Sequence, residues 1–195
     1  MKKDRTYYFA YGSNLSISQM KVRCPSAKLI RKGQLKDYKL VFSKWSSKWH
    51  GAVADIIAAK NNCVWGLVYS LTFKDLHKLD GFEGYPFIYN RKLLSITGTS
   101  DLASDIWVYY LPHKFKLRSP AIKYLSILQE AAKTFGFPMS YRKMLCKVKS
   151  FESIQAKLLH ETISNEYVQD IEDDQFNPLE FYQGDLFDEY EKGTS

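Results

Sequence analysis

The chain has 195 residues, 45% of them hydrophobic and 25% charged, with a formal net charge of +7, which is apolar content and length enough for one well-buried core and does not call for two domains. No apolar run approaches the roughly 18 residues that a membrane helix needs, and Cys24, Cys63 and Cys146 lack any C-x-x-C spacing, so a helical membrane protein, a disulfide framework and a zinc site are not indicated. The charge is divided unevenly: residues 1–149 carry 26 Lys and Arg against 9 Asp and Glu, a net +17, whereas residues 150–195 carry 2 against 12, a net −10.

The start, Met1 to Arg5, is basic, but the apolar segment behind it is short and has no cleavage-like sequence, so no signal peptide is expected and a reducing cytoplasm fits best. Tyr7-Tyr8-Phe9-Ala10-Tyr11 then reads as a buried strand that runs into Gly12-Ser13-Asn14-Leu15, residues of turn chemistry. Ser16 is placed to cap a short helix from Ile17 to Arg23, which ends before Cys24-Pro25. A loop at a helix entrance presents backbone N–H groups. The local sequence therefore offers either a pocket for a carboxylate or developing oxyanion, or merely a tight connection.

Tyr38 to Ser43 forms the next strand, with Tyr38, Leu40 and Phe42 on one period-2 face, and Trp45 to Gly51 reads as a loop with two tryptophans. Gly51–Ala58 and Val64–Ser70 read as a hairpin around Asn61-Asn62. In the first of these runs Asp55 is either a buried polar anchor or a solvent-side residue. From Thr72, a candidate cap, Phe73, Leu76, Leu79 and Phe82 recur every third residue, and this helix is expected to end in the stretch Asp80-Gly81-Phe82-Glu83-Gly84-Tyr85-Pro86. Glu83 follows between Phe82 and Gly84-Tyr85; it is either an exposed turn glutamate or a carboxylate whose aromatic surroundings raise its pKa and suit it to proton transfer.

Tyr89–Ile96 and Ile106–Tyr110 are two further strands. Ser119-Pro120 is expected to open a helix, with serine as cap, proline at the first helical position and Gly136 past the end. A shorter helix is expected from Tyr141 to Val148. The remainder, residues 151–195, reads as an acidic extension, partly helical or disordered, with Phe151, Ile154, Leu158 and Ile163 at amphipathic spacing before the acidic run from Asp170 to Asp174. There is no Walker lysine and no G-x-G-x-x-G, and Ser13 lacks the second glycine of a G-x-S-x-G elbow, which argues against serine nucleophile chemistry.

Taken together, Tyr8 to Leu15, Pro25-Ser26-Ala27, Trp49-His50-Gly51, Val64-Trp65-Gly66, Leu79-Asp80 with Glu83-Gly84, and Ser119-Pro120 with Tyr124 resemble, in order and spacing, the γ-glutamylcyclotransferase family and its AIG2-like and γ-glutamylamine cyclotransferase branches. The resemblance covers about residues 6 to 150 and implies a single α+β catalytic domain over 1–150. Its fold would be a curved mixed β-sheet that forms a small barrel-like core with flanking helices.

Residue by residue, the resemblance implies Glu83 as the acid/base, Tyr11, Gly12, Ser13, Asn14 and Leu15 as the substrate-binding loop, and Tyr124 as a pocket-lining residue. It implies conversion of a γ-glutamyl amino acid or amide to 5-oxoproline and a free amine, with no cofactor and no metal, because the substrate's own α-amino group is the nucleophile. The Tyr85-Pro86-Phe87 string is closer to the AIG2-like branch and the Trp-His-Gly and Val-Trp-Gly strings are closer to the other, so γ-glutamylamine specificity stays open beside γ-glutamyl amino acids. A different class of reading is a non-catalytic module whose basic body holds an anionic partner or nucleic acid; the dispersed lysines disfavour nucleic acid.

Overall fold

The computed structural model describes residues 4–98, 105–113, 115–155 and 158. The chain divides into two units, Met1–Lys157 and Leu158–Ser195, and the architecture below is that of the first. The amphipathic and acidic features expected beyond Leu158 lie outside the described residues.

β1 (Arg5–Ala10) enters the core directly, with Tyr8, Phe9 and Ala10 all buried. A 3-10 turn over Ser13–Leu15 leads to α1 (Ile17–Arg23), whose first turn is capped by the Ser16 hydroxyl, which accepts the Gln19 N–H. β2 (Lys28–Ser46) and β3 (Gly51–Thr72) follow, then α2 (Phe73–Glu83), β4 (Asn90–Leu94), β5 (Ile106–Tyr110), α3 (Ile122–Thr134) and α4 (Met139–Lys147).

The five strands form one mixed sheet in the order β2-β3-β1-β5-β4, antiparallel except for the parallel β1–β5 neighbours, where Tyr8 faces Trp107. Gln34 of β2 exchanges two backbone hydrogen bonds with Thr97, just past β4, at 3.2 and 2.8 Å, and so joins the two edges of the sheet. This curls the sheet into the small barrel-like core implied by the family resemblance. Phe9, Leu67, Leu71, Ile106 and Val108 fill it from the strands and Leu79 and Leu128 from the helices, all essentially inaccessible to water. Each buried aliphatic or aromatic side chain of this kind contributes about 1.5–3 kcal/mol of transfer free energy.

Three sequence expectations are corrected by tertiary context. The hairpin expected around Asn61-Asn62 is a single strand, β3, paired with β2 on both sides of that point, and the true turn lies at residues 47–50. Asn61 (φ 64°) and Asp37 (φ 61°) both adopt the left-handed region, and the Asp37 carboxylate accepts the Asn61 N–H at 3.0 Å. The side-chain chemistry that favours turns here makes a bulge that shifts the register and bends the pair.

The second correction concerns α2, which begins as expected with the Thr72 hydroxyl accepting the Asp75 N–H. Leu76 and Leu79 are buried, but Phe73 and Phe82 are exposed. A strict three-residue repeat drifts by about 60° per step around a helix of 3.6 residues per turn, so its ends leave the core face. The helix ends within the expected stretch, after Glu83 at Gly84, which takes the left-handed conformation (φ 64°).

Thirdly, α3 is not capped by Ser119. The chain stays extended through Ala121, with the Ser119 carbonyl accepting the Ala52 N–H at 3.0 Å and Arg118 donating to the Phe42 carbonyl. The free N–H of Ile122 goes instead to the Glu152 carboxylate at 2.8 Å. Pairing with the sheet edge takes up the residues that local propensity assigns to the helix start.

Candidate active site

The site is built where the β1–α1 loop meets the last turn of α2. Gly84 ends that helix, because its N–H bonds back to the Asp80 and Gly81 carbonyls and a Cβ there would run into Ile88. Glu83 is thereby fixed as the final helical residue, with its side chain 15% exposed. Of the two readings open from sequence, the structure has the enclosed carboxylate.

Asn14 and Arg23, bonded to each other, hold Glu83 through the same carboxylate oxygen. Asn14 Nδ2 donates to Glu83 Oε1 at 2.9 Å and to the Tyr8 hydroxyl at 2.9 Å, while its Oδ1 accepts from Gln19 Nε2 at 3.0 Å and from Arg23 Nη1 at 3.0 Å. Because a guanidinium can only donate, the amide oxygen must face Arg23, and the orientation of Asn14 follows. Arg23 Nη1 also donates to Glu83 Oε1 at 3.1 Å, and its guanidinium lies over the Phe82 ring at 5.1 Å. Both bonds to the carboxylate fall on Oε1; among the described residues Oε2 takes none. Burial pushes the Glu83 pKa above the ordinary carboxylate range, and the Arg23 charge with the Asn14 and Arg23 hydrogen bonds pulls it part of the way back.

A cavity of about 190 Å³ opens beside this cluster. Its buried half is a wall of tyrosines that differ in what their hydroxyls do. Tyr11 donates to the Tyr109 carbonyl at 2.7 Å, Tyr89 to the Ala54 carbonyl at 3.0 Å, and Tyr109 to the Asp80 carboxylate at 2.7 Å. Asp80 also meets Arg91, whose Nε lies 3.2 Å away and whose guanidinium sits over Trp107 at 4.4 Å. Those three protons are spent within the protein.

Tyr8 and Tyr124 are the reverse case. The Tyr8 oxygen accepts from Asn14, and the Tyr124 oxygen accepts the N–H of Ala54 at 3.0 Å. Among the described residues neither hydroxyl has a protein acceptor, which leaves its O–H proton for the cavity that both residues line. Burial, the leading cause, pushes both phenols upward, which keeps them neutral donors. Gly12 permits the approach, since a Cβ there would lie 2.9 Å from the Tyr124 oxygen.

The residues singled out from sequence are placed as follows. Tyr11, Gly12, Ser13, Asn14, Glu83 and Tyr124 all line the cavity; Leu15 does not, and is buried in the core behind it. The expected row of free amides is reduced, because the Leu15 and Ser16 N–H groups go to the Gly12 and Ser13 carbonyls. Asp55 is the buried anchor of its two readings: it accepts the Leu111 N–H at 2.9 Å, and burial raises its pKa. Sequence reasoning missed Arg23, Tyr8, Tyr89 and Tyr109 as site residues. For Arg23 a signal existed in its position at the end of α1, nine residues after Asn14, where the helix returns it to the loop.

The outer half of the cavity has another character. Phe82 and Ile88, 56% and 42% exposed, lie with Trp45, Trp49, Lys44 and Lys48 around its opening. Trp49 packs edge-on against Tyr124 at 5.1 Å between ring centroids. Among the described lining residues, Glu83 is the one carboxylate.

A family model described as Gamma-glutamyl cyclotransferase, AIG2-like matches residues 8–126. The human protein named Gamma-glutamylcyclotransferase is 32% identical over 142 residues, which is 71% of this chain and 76% of that protein. A bovine protein of the same name is 30% identical over 146 residues, 73% and 78% of the two chains. A solved structure described as Gamma-glutamyl cyclotransferase superposes with a TM-score of 0.69 at 29% identity, covering 75% of this chain and 89% of its own. An uncharacterized human protein does so with a TM-score of 0.70, also at 29% identity, covering 76% and 90%.

Proposed function

The chain belongs to the gamma-glutamyl cyclotransferase, AIG2-like family and is an enzyme of this type, and we propose that it cyclises a γ-glutamyl amino acid or amide to 5-oxoproline with Glu83 moving the protons. The observation that carries this reading is the Glu83 carboxylate itself: enclosed, lining the cavity, oriented through Oε1 by Asn14 and Arg23, and with Oε2 unbonded among the described residues.

The substrate supplies its own nucleophile. Its α-amino nitrogen attacks the γ-carbonyl carbon, a five-membered ring closes, and the bond from that carbon to the departing nitrogen breaks. Glu83 Oε2 takes a proton from the α-ammonium to free the lone pair and returns it to the departing nitrogen. The second proton, acidified on the ring nitrogen once the new C–N bond forms, follows the same route, so the amine leaves as its ammonium, the lactam keeps one N–H and the enzyme ends as it began. A carboxylate raised in pKa by burial is a better base for this than a solvated one, and such positioned proton transfer contributes about a hundred- to ten-thousand-fold.

The oxyanion of the tetrahedral intermediate takes hydrogen bonds from the hydroxyls of Tyr8 and Tyr124, the two whose protons are not committed elsewhere. Ser13, Asn14 and Gly12 form the wall against which the glutamyl moiety folds into its cyclising conformer. The test is incubation with a panel of γ-glutamyl dipeptides and amides and detection of 5-oxoproline together with the released amine. Release of 5-oxoproline by the parent but not by Glu83→Gln is the expected result; a panel in which nothing reacts, or a fully active Glu83→Gln, overturns the reading.

A further inference from the structure

The cavity has a closed end and an open one, and the two ends differ in chemistry. Tyr8, Tyr11, Asn14, Tyr109 and Tyr124 at the closed end are all nearly inaccessible to water, so that end accepts a group of fixed size and polarity. In the reaction above only the glutamyl part is fixed, and it must lie there with its γ-carbonyl at Glu83. The departing amine, the variable part, then points to the opening. What surrounds the opening therefore selects the amine.

Resting on the function proposed above, we infer that the amine released is an α-amino acid with a bulky apolar side chain. Phe82 and Ile88, on either side of the Glu83-Gly84 helix end, and Trp49 across from them offer an apolar surface that water already reaches and that a leucyl or phenyl side chain would dehydrate. Lys44 and Lys48 flank the same opening, with Lys48 Nζ 5.8 Å from the centre of the Trp49 ring. Two ammonium groups beside an apolar surface match a carboxylate beside an apolar side chain. With Arg23 they set three cations against one carboxylate, Glu83, among the described lining residues, so a second, cationic amine on the substrate meets like charge.

The experiment uses the full chain and measures kcat/KM for release of 5-oxoproline from γ-glutamyl-phenylalanine, γ-glutamyl-leucine, γ-glutamyl-glycine, γ-glutamyl-benzylamine and γ-glutamyl-putrescine. Phenylalanine and leucine substrates are expected to exceed the glycine substrate by about tenfold or more, the gain available from filling an apolar subsite. Lys44→Ala with Lys48→Ala is expected to raise KM for γ-glutamyl-phenylalanine about two- to fivefold, as for exposed ion pairs, and to raise it less for γ-glutamyl-benzylamine, whose amine part carries no carboxylate. Equal rates for glycine and phenylalanine substrates, or a preference for γ-glutamyl-putrescine, overturn this inference and leave the cyclotransferase reading standing. Failure of all five to react overturns both.

Discussion

Arg23 Nη1 and Glu83 Oε1 meet at 3.1 Å, sixty residues apart in sequence, and the same guanidinium nitrogen bonds the amide oxygen of Asn14 at 3.0 Å. Three polar side chains are thus locked in a nearly dry environment, with one carboxylate oxygen left over. Removing one partner from such a cluster leaves an uncompensated charge, which costs far more than a surface pair. The geometry serves orientation: a glutamate gripped through one oxygen presents the other in a fixed place.

Glu83→Gln keeps the shape and the hydrogen-bond acceptor at this position but removes the base. The expected loss in kcat is about a hundred- to ten-thousand-fold with little change in KM. Steady-state kinetics on a reactive γ-glutamyl substrate checks this, and an unchanged kcat would exclude Glu83 from the chemistry.

Arg23→Gln should move the pH profile. As the proposed base, Glu83 would work only when ionised, so activity is expected to fall as pH drops through its pKa. The Arg23 charge lowers that pKa against the upward push of burial; without it the pKa rises, and the acidic limb of kcat/KM moves to higher pH. A limb that stays in place under this substitution would mean that another group controls it.

Tyr8→Phe and Tyr124→Phe each delete a proposed donor to the oxyanion, and losing such a donor costs roughly 3 to 4 kcal/mol of transition-state stabilisation. Tyr124→Phe carries a further structural cost of about 1–3 kcal/mol, because the buried N–H of Ala54 loses its acceptor. Thermal melts beside kinetics separate the two contributions. Full activity in both variants would rule out the tyrosyl donors.

Two glycines should respond oppositely to alanine. Gly81 lies inside α2 with open space where a Cβ would go, so Gly81→Ala is expected to stabilise by roughly 0.5–1 kcal/mol. Gly12→Ala would press a methyl group against the Tyr124 hydroxyl and is expected to lower activity by displacing it. Denaturant midpoints and kcat/KM check the pair; a destabilised Gly81→Ala would contradict the description of that helix face.

By itself, the sequence determined the strand from Tyr7 into the Gly12-Ser13-Asn14 loop, the Ser16 and Thr72 caps, and Glu83 as the carboxylate to watch. These are local properties: alternation, capping chemistry and a glycine that ends a helix all act within a few residues. It also carried the family resemblance across most of the first unit. What only the tertiary structure decided concerns partners far apart in the chain. Asn61 forms a bulge and not a turn because β2 pairs with β3 on both sides of it. Ser119 fails as a cap because the sheet edge takes its carbonyl. Arg23 becomes a site residue, and Tyr8 and Tyr124 rather than Tyr11 and Tyr109 keep their protons, because whether a hydroxyl donates or accepts depends on which group from another element lies within hydrogen-bond reach of it.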